Sequence, residues 1–318
     1  MNQFDVFNGD ADGLCAIHQL RLAEPAAATV VTGVKRDVQL LAGLTAAAGD
    51  RITVCDISLD ANREDLLRLL EAGVSVRWFD HHHAGDIPAD PLLDAHIDEA
   101  RDVCTSLLVD RFLDHRHQRW AIAAAFGDNL TAVAFERGAA AGLSAAELLQ
   151  LRALGENLNY NAYGDEVGDL LVPPAELLAL MRGHEDPLRF VAGSAELARI
   201  DAGRRSDLAH GLQVVARHRF AHGDILVLPD APWSRRVRGA LGNELASRDP
   251  ERAQAILTPD RLGGYVVSVR LPHHSNGRAD TLCREFESGG GRAIAAGINH
   301  LPAPELRRFI DLFAAMTI

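Results

Sequence analysis

The sequence has few aromatic residues and few cysteines, and each shortage excludes a class of protein. Among 318 residues there are only three Trp, three Tyr and four Cys, whereas Ala is abundant. This composition favours many helices and argues against an all-β sandwich. The cysteines form no C-x-x-C pair and lie beside apolar residues, which is typical of reduced core thiols in a cytoplasmic protein.

The sequence also lacks an excess of positive charge and lacks long apolar runs. Its formal net charge is −12, which offers no electrostatic basis for binding long duplex DNA. A small phosphorylated substrate remains compatible with this charge, because bound divalent metals invert the local field. No run approaches the roughly 20 apolar residues of a membrane span. No basic segment followed by an apolar stretch is present at the start, so we expect neither a signal peptide nor membrane contact.

The length of the chain and its apolar content, 47% of residues, predict two domains with sizeable cores. Over residues 1–130, strand-like apolar runs alternate with stretches of helical spacing, which predicts a doubly wound, mainly parallel sheet. We expect helices over residues 38–48 and 119–142 within this pattern. A second α/β unit follows, so the expected domains are 1–165 and 205–318, joined by a helix-containing linker at 166–204.

Acidic and imidazole side chains follow three of the predicted strands. They are Asn8, Asp10 and Asp12 after the first, Asp56 after another, and Asp80, His81, His82 and His83 after a third. Because ligands bind at the carboxyl ends of parallel strands, we expect these side chains to converge. A single Asp at a strand end is more often a helix cap than a metal ligand. Capping alone is an unlikely explanation when three strand ends all carry such residues.

The residue types at these strand ends indicate metal chemistry. Oxygen and imidazole ligands suit Mn²⁺, Zn²⁺ or Fe²⁺ better than Ca²⁺. Two such ions a few ångströms apart would stabilise the attacking and leaving oxygens of a phosphate ester displacement. The sequence therefore predicts a metal site at this edge of the sheet.

The motifs NGDADG, CD at Asp56, DHH at Asp80 and GD at Asp128 resemble those of the DHH phosphoesterases. The stretch GGGRAIAAG is similar to the glycine motif of the associated DHHA1 domain. The resemblance implies an α/β protein with an N-terminal DHH catalytic domain and a smaller C-terminal DHHA1 substrate-binding domain. It implies a hydrolase that uses one or two Mn²⁺ ions, with Mg²⁺, Fe²⁺ or Zn²⁺ as alternatives.

The implied substrate is a small phosphate ester or phosphodiester: a short single-stranded oligonucleotide, a dinucleotide or a nucleoside bisphosphate. A homodimer is compatible with the resemblance. The ligands of one implied metal are Asp10, Asp56, His81 and Asp128, of which Asp56 is implied to bridge to a second ion. His82 is implied to act near the scissile phosphate with support from Asp80, and His83 has no implied role.

The chain departs from the family pattern at the second metal. Many relatives carry His and Asp where this chain has Phe4 and Asn8. The second site is therefore expected to be weaker or filled only with substrate. Asn8 is expected to ligate through its amide oxygen or to hold a water. Asp12 is available as a substitute ligand, with a helix cap as its alternative role.

In the C-terminal domain the resemblance points to an anion-binding surface. A turn of three glycines can approach an anion closely, and its N–H groups can cradle phosphate. Arg292 stands where relatives often have His, and Arg270 matches an arginine of the family's substrate pocket. The complete set of expected substrate-binding residues is Gly289, Gly290, Gly291, Arg292, Arg270, Asn299 and His300.

Three other functions remain open at this point. A RecJ-like single-strand exonuclease would need an additional strand-binding domain, and none is visible in the sequence. A nucleotide-binding regulatory protein with weak or no turnover would be compatible with Asn8. A metal-dependent enzyme acting on a non-phosphate substrate is disfavoured by the glycine motif that precedes Arg292.

Overall fold

The structure, a computed structural model, describes residues 1–272 and 274–317. The chain divides into two compact units, Met1–Ala202 and Gly203–Ile318. Each unit contains its own sheet, and we describe the two units separately.

The first unit is built on a five-stranded sheet whose paired strands are all parallel. Its strands are β1 Gln3–Phe7, β2 Thr29–Thr32, β3 Arg51–Cys55, β4 Ser75–Asp80 and β5 Leu93–Ile97. The order is β2-β1-β3-β4-β5, so the direction of winding reverses between β1 and β3. The doubly wound α/β fold predicted from the sequence is confirmed.

Helices cover both faces of this sheet. The helices of this unit are α1 Ala11–Ala23, α2 Arg63–Glu71, α3 Thr105–Phe112, α4 Gln118–Gly127, α5 Thr131–Ala140, α6 Ala145–Asn161, α7 Pro174–Met181 and α8 Pro187–Gly193. A further helix, α9 Ala195–Gln213, begins in this unit and continues into the second. Successive strand residues point to opposite faces. Val54 and Trp78 pack with the leucines of α2, whereas Cys55 and Phe79 pack with α1, α3 and α4.

Two of the helices predicted for this unit are different in the structure. Residues 38–48 form turns, with Gly43 at a φ of 75°. The amide of Asn62 donates to the Val38 carbonyl and accepts from Leu41 N–H, which satisfies backbone groups that a helix would pair internally. The helix predicted over residues 119–142 is two helices, α4 and α5, because the chain turns at Asp128 and Asn129, whose φ is 62°.

The segment expected to be a linker, residues 166–204, is largely helical and belongs to a core. Leu177, Leu178 and Phe190, from α7 and α8, are buried with the residues of α1 and α4. Apolar residues at helical spacing on both helices explain why the segment packs rather than remaining exposed. The division of the chain falls at Ala202.

The second unit contains a six-stranded mixed sheet in the order β10-β11-β9-β8-β7-β6. The strands are β6 His218–Arg219, β7 Gly223–Val227, β8 Ala253–Pro259, β9 Gly264–Arg270, β10 Gly289–Arg292 and β11 Ala295–Pro302. Only the β7–β8 pair of this sheet, as described, is parallel. Its helices are α10 Pro232–Arg248, α11 Ala279–Arg284 and α12 Leu306–Ala314.

Two features of the described residues bear on the environment of the protein. Among them, no helix combines the length and the apolar character needed to cross a bilayer. The four cysteines are free thiols in the interior, as the sequence predicted: Cys15, Cys55, Cys104 and Cys283.

His18 is a buried imidazole on α1 that makes the stability of the first unit depend on pH. Its Nε2 lies 3.0 Å from the carbonyl oxygen of His184, and its ring packs edge-on against Trp120 at 4.6 Å. The pKa of His18 is lowered from 6.5 to about 4, chiefly by burial and to a smaller extent by the nearby His117, His184 and Arg182, against the hydrogen bond to His184. The folded protein therefore holds this ring neutral.

We expect acid to destabilise the protein through His18 over a defined window. Its contribution is fully present above the unfolded pKa of 6.5 and is lost as the pH falls toward about 4, a loss of about 3 kcal/mol. Urea unfolding at several pH values should show this slope reduced in His18→Leu. The exposed His83→Ala should keep the wild-type slope, and an unchanged slope in His18→Leu would contradict the prediction.

Candidate functional site

The predicted site residues of the first unit lie at the carboxyl ends of three adjacent strands. Asp10 follows β1, Asp56 follows β3 and His81 follows β4. β1 and β3 are the pair between which the winding reverses, and open α/β sheets bind ligands at such a point. Asp128 comes instead from the turn between α4 and α5.

The turn between β1 and α1, which carries Asn8 and Asp10, is stabilised by hydrogen bonds from its own side chains. Asp10 is the N-cap of α1, and its Oδ1 accepts the N–H groups of Asp12 at 2.9 Å and Gly13 at 3.1 Å. The Oδ1 of Asn8 accepts the N–H of Asp10 at 3.2 Å, and its Nδ2 donates to the Lys35 carbonyl at 3.1 Å. The amide of Asn8 thus shapes the turn.

Asp12 caps a helix other than its own. Its two carboxylate oxygens each accept a backbone N–H of α3, from Thr105 and Ser106, both at 2.7 Å. A carboxylate is favourable there because the N-terminal N–H groups of a helix carry partial positive charge. The same carboxylate faces His81, whose Nε2 lies 3.9 Å from Oδ2. The capping alternative is therefore present in the structure, and it leaves Asp12 beside the other candidate ligands.

His81 is oriented so that one ring nitrogen faces the carboxylates. Its Nδ1 lies 3.0 Å from the Val103 carbonyl oxygen, which fixes the proton on Nδ1 and leaves Nε2 as the basic atom. Nε2 lies 3.5 Å from Asp56 Oδ1 and 3.8 Å from Asp128 Oδ2. A backbone carbonyl that orients an imidazole in this way is typical of metal-binding histidines.

Asp56 is the most constrained carboxylate of the site. It is 2% exposed and its φ of 62° is in the left-handed region, which is uncommon outside glycine. Thr105 donates its hydroxyl to Oδ1 at 3.1 Å. Burial raises the pKa of Asp56 well above its usual range, and the charges of Asp10, Asp12 and Asp80 raise it further. A nearby cation would offset the repulsion among these four carboxylates, Asp10, Asp12, Asp56 and Asp80.

Asp128 shares this environment. Its pKa is raised to about 6, chiefly by burial and also by the charge of Asp12, while Lys35 partly opposes the increase. Its position is set by a close helix crossing, since Gly127 and Gly155 let α4 and α6 approach with no side chain between them. A methyl at Gly155 would lie 1.9 Å from the Ala123 carbonyl oxygen.

The donor atoms fit a divalent cation. Two overlapping sets of possible ligands have their atoms within 4.8 Å of one another: Asp56 with His81 and His82, and Asp12 with His81 and Asp128. Carboxylate oxygens with imidazole nitrogen suit Mn²⁺ and its neighbours in the first transition row, and clustered carboxylates favour any cation. Asp10 belongs to neither set.

His82 and Asp80 form a hydrogen-bonded pair beside these ligands. His82 Nδ1 lies 2.8 Å from Asp80 Oδ1, and Asp80 is fully buried. Burial lowers the pKa of His82, but the hydrogen bond and charge of Asp80 outweigh it, so the pKa is raised. His82 is therefore an exposed imidazole that retains a proton more readily than a free histidine. His83 points away and pairs with Glu99 at 3.2 Å.

Two residues that contact the candidate ligands, Lys35 and Thr105, are not among those predicted from the sequence. Lys35 Nζ donates to Asp10 Oδ2 at 2.5 Å and to Asn159 Oδ1 at 2.9 Å. Burial raises the pKa of Asp10, but Lys35 outweighs this effect and the pKa is lowered. Lys35 lies three residues after the end of β2. Positively charged side chains near strand ends, and not only acids and imidazoles, would therefore have indicated it. Thr105 gave no comparable signal, because a Thr at the start of a helix is common.

In the second unit, two of the predicted arginines lie on one sheet face. Arg292 on β10 is opposite Ala295 on β11, which is in turn opposite Arg270 on β9. This register places the two arginines about 10 Å apart, two strand spacings. Arg270 donates to Asn243 Oδ1 at 2.9 Å and lines a cavity of about 490 Å³ together with Arg252.

The glycine triplet is an edge strand in the structure, whereas the sequence suggested a turn. Residues 289–292 form β10 at the end of the sheet. Gly289 is required by packing, since a methyl there would lie 1.7 Å from the Cys283 carbonyl oxygen, and Gly291 has a φ of 137°. Gly290 has open space on its side-chain position. An edge strand can still offer N–H groups to an anion.

Asn299 and His300 are placed away from the two arginines. They lie toward the other end of β11, whose residue Pro302 pairs with Gly264 at the start of β9. His300 Nδ1 lies 2.7 Å from Asp260 Oδ2, and the Ser288 carbonyl accepts the Asn299 N–H at 3.2 Å. The structure therefore does not bring them to the Arg270 face, and their assignment rests on the sequence alone.

No family model matches the chain, and no curated protein matches it. Solved structures do match. RecJ from Thermus thermophilus in complex with Mn²⁺ gives a TM-score of 0.65 at 18% identity, over 99% of this chain and 51% of that chain. An exonuclease RecJ bound to manganese gives 0.60 at 18% identity, over 100% and 91%. The pGpG-specific phosphodiesterase PggH from Vibrio cholerae gives 0.54 at 13% identity, over 99% and 100%.

The likeness extends over both units of the chain, although the chain spans only 51% of the Thermus thermophilus RecJ. At these identities it concerns the fold. The chain therefore has the fold of RecJ and of this phosphodiesterase, in agreement with the fold that the resemblance of its motifs to those of the DHH phosphoesterases implies.

Proposed function

We propose that this protein is a DHH-type phosphoesterase that hydrolyses a small phosphate ester or phosphodiester with a bound divalent ion, Mn²⁺ being the first choice. The observation that supports this most directly is the convergence of Asp56, Asp128 and Asp12 on His81 Nε2, with distances of 3.5 to 3.9 Å. Three carboxylates from separate parts of the chain meet around this one imidazole, whose other nitrogen lies 3.0 Å from the Val103 carbonyl oxygen. The expected ligands are these four side chains.

The chemistry divides between the ion and the protein. A bound divalent ion supplies Lewis-acid stabilisation of the charge that develops on the phosphate oxygens. In the hydrolysis a water oxygen forms a bond to phosphorus as the bond to the leaving oxygen breaks, and a proton passes from the water to the leaving oxygen. His82, held by Asp80 and protonated more readily than a free histidine, is placed to carry that proton or to hydrogen-bond the phosphate.

We expect phosphate to bind the sheet face of the second unit that Arg270 and Arg292 share. Guanidinium groups bind phosphate oxygens in a bidentate fashion. This pairing favours substrates with a second phosphate or a nucleotide, as in linear dinucleotides, nucleoside bisphosphates and short oligonucleotides. The fold likeness to a pGpG-specific phosphodiesterase makes a linear dinucleotide the first substrate to test.

The test is turnover of the full chain with Mn²⁺ on a panel of phosphate compounds. The panel contains bis-p-nitrophenyl phosphate, pGpG, a short oligoribonucleotide, a cyclic dinucleotide and 3′-phosphoadenosine 5′-phosphate. We expect hydrolysis of at least one short compound and complete loss of hydrolysis with EDTA. Binding of Mn²⁺ without turnover of any compound would contradict the enzyme and support a nucleotide-binding regulatory protein.

A RecJ-like exonuclease is the second candidate, because two RecJ structures superpose on nearly the whole chain. A single-stranded oligonucleotide of about 30 bases, added to the same panel, separates the two. Processive degradation of this strand at a rate above that of pGpG would favour the exonuclease. The net charge of −12 disfavours binding along an extended strand and supports the short substrate.

Removing the hydroxyl of Thr105 should weaken metal binding without unfolding the protein. The hydroxyl donates to Asp56 Oδ1 at 3.1 Å, and loss of such an outer contact typically lowers metal affinity about 10- to 100-fold. Thr105→Val keeps the shape of the side chain and the backbone N–H bond to Asp12. Titration with Mn²⁺ measures the dissociation constant, with the exposed Thr29→Val as the control. An unchanged constant in Thr105→Val would show that this hydroxyl does not orient a ligand.

A further inference from the structure

Asp10 is the one carboxylate of the candidate metal site that already has a cationic partner. Its Oδ1 caps α1, and its Oδ2 accepts Lys35 Nζ at 2.5 Å. Asp10 is 3% exposed, whereas the Lys35 side chain is 30% exposed, so the carboxylate of this pair is buried while the lysine remains accessible. Neither set of clustered ligand atoms includes Asp10.

The two positions at which relatives carry ligands of a second ion, Phe4 and Asn8, supply no charged side chain in this protein. Phe4 lies within β1 and packs against the core on the α2 side of the sheet. Asn8 carries no charge, and its amide groups bond the Asp10 N–H and the Lys35 carbonyl. The chain therefore offers neither a histidine nor a second free carboxylate there.

Lys35 has the geometry of a fixed positive charge rather than of a flexible surface lysine. Asn159 Oδ1 accepts a second hydrogen bond from Nζ at 2.9 Å, and Nζ lies 5.9 Å from the centre of the Tyr163 ring. Asp10, Asn159 and the Tyr163 ring thus lie around the ammonium. A lysine ammonium has three donors, so one remains after Asp10 and Asn159 are satisfied.

We propose that Lys35 takes the place of a second metal ion in this protein. The site then binds one divalent ion at Asp56, His81, Asp128 and Asp12, and the Lys35 ammonium supplies the second positive charge through Asp10. Its third N–H donates to a phosphate oxygen of the substrate. This inference rests on the proposed phosphoesterase function and specifies how its site differs from a two-metal site.

The first experiment counts ions and requires no substrate. The full chain is stripped with a chelator and titrated with Mn²⁺ alone, and free Mn²⁺ is followed by electron paramagnetic resonance. We expect one Mn²⁺ per chain in the wild type and two in the double variant Asn8→Asp with Lys35→Met, which adds a carboxylate and removes the ammonium. Two tightly bound ions in the wild type would overturn the proposal, and so would one ion in a folded double variant.

Single variants test the electrostatic role. Lys35→Met should lower turnover about 100-fold, as the loss of one preorganised charge typically does, while one Mn²⁺ still binds. Arg36→Met is the matched control, since Arg36 pairs with Asp165 and should leave both the ion count and the turnover unchanged. Wild-type turnover in Lys35→Met would overturn the proposal.

The two proposals fail in different ways. One bound ion with no turnover on the panel would contradict the phosphoesterase function, whereas the ion count assigned here would stand. Two bound ions with turnover would contradict the role of Lys35 and leave the phosphoesterase in place. Circular dichroism of each variant establishes that it is folded. If the double variant does not fold, two Mn²⁺ ions bound to the wild type would still overturn the proposal.

Discussion

Asp56→Asn is expected to stabilise the metal-free protein while lowering its turnover about 1,000-fold or more. The carboxylate of Asp56 is buried beside Asp10, Asp12 and Asp80, and burial together with these charges raises its pKa. An uncharged amide removes the repulsion, which we expect to be worth about 1–3 kcal/mol. Asn also accepts the φ of 62° at this position better than most residues do.

The loss of activity has a separate cause. The amide cannot supply the negative charge that Asp56 offers to a cation together with His81, whose Nε2 lies 3.5 Å away. Losses of this size are typical when a group central to the reaction is removed. Thermal unfolding in EDTA and turnover with saturating Mn²⁺ give the two readouts.

A matched control is available at Asp114, which is exposed and has a φ of 51°. Asp114→Asn makes the same chemical change in the same backbone region outside the site. We expect its activity to be unchanged and its stability to lie within about 0.5 kcal/mol of the wild type. A destabilised Asp56→Asn, or one that keeps full turnover, would refute the assignment of Asp56 as a ligand held under repulsion.

Gly155→Ala is expected to destabilise the first unit by about 3 kcal/mol or more. In most helix interiors this substitution stabilises by up to about 1 kcal/mol. Here the added methyl would lie 1.9 Å from the Ala123 carbonyl oxygen and 2.8 Å from Gly127 N. Both neighbours are backbone atoms that no rotamer change can move, so α4 and α6 must separate. Urea unfolding measures the loss.

The separation should also reach the candidate site, because Asp128 directly follows Gly127 at the end of α4. We therefore expect weaker Mn²⁺ binding in any Gly155→Ala protein that remains folded. Gly193→Ala is the control, since Gly193 ends α8 and has nothing within 4 Å of its side-chain position. Wild-type stability in Gly155→Ala would show that this helix crossing tolerates a wider spacing.

The strand ends were predictable because two simple rules coincide in them. Apolar runs of period two end where polar residues begin, and parallel strands place those ends on one edge. The placement of Asp10, Asp56 and His81 at one edge of the sheet follows from their positions in the sequence, whereas their roles stay a prediction. The two helices that differ, over residues 38–48 and 119–142, have helical spacing of apolar residues, but long-range contacts and the turn at Asp128 override it.

The features that sequence reasoning missed depend on partners distant in the chain. The position of the Lys35 ammonium is set by hydrogen bonds to Asp10 and Asn159, which lie 25 and 124 residues away in the sequence. The capping role of Asp12 depends on Thr105 and Ser106, 93 and 94 residues away. Local pattern cannot reveal which buried group a side chain will meet. The prediction of a turn at the Gly-Gly-Gly stretch was wrong because the local pattern is ambiguous: glycines suit both a turn and a crowded edge strand.

The four buried thiols offer a way to time the opening of each unit by chemical labelling. Cys15, Cys55 and Cys104 belong to the first unit and Cys283 to the second. Burial raises the pKa of Cys283 to about 12 and those of the other three well above the usual range. An alkylating reagent can therefore react only after a unit opens. Mass spectrometry of the labelled peptides would then report two unfolding rates from one sample, without any engineered probe.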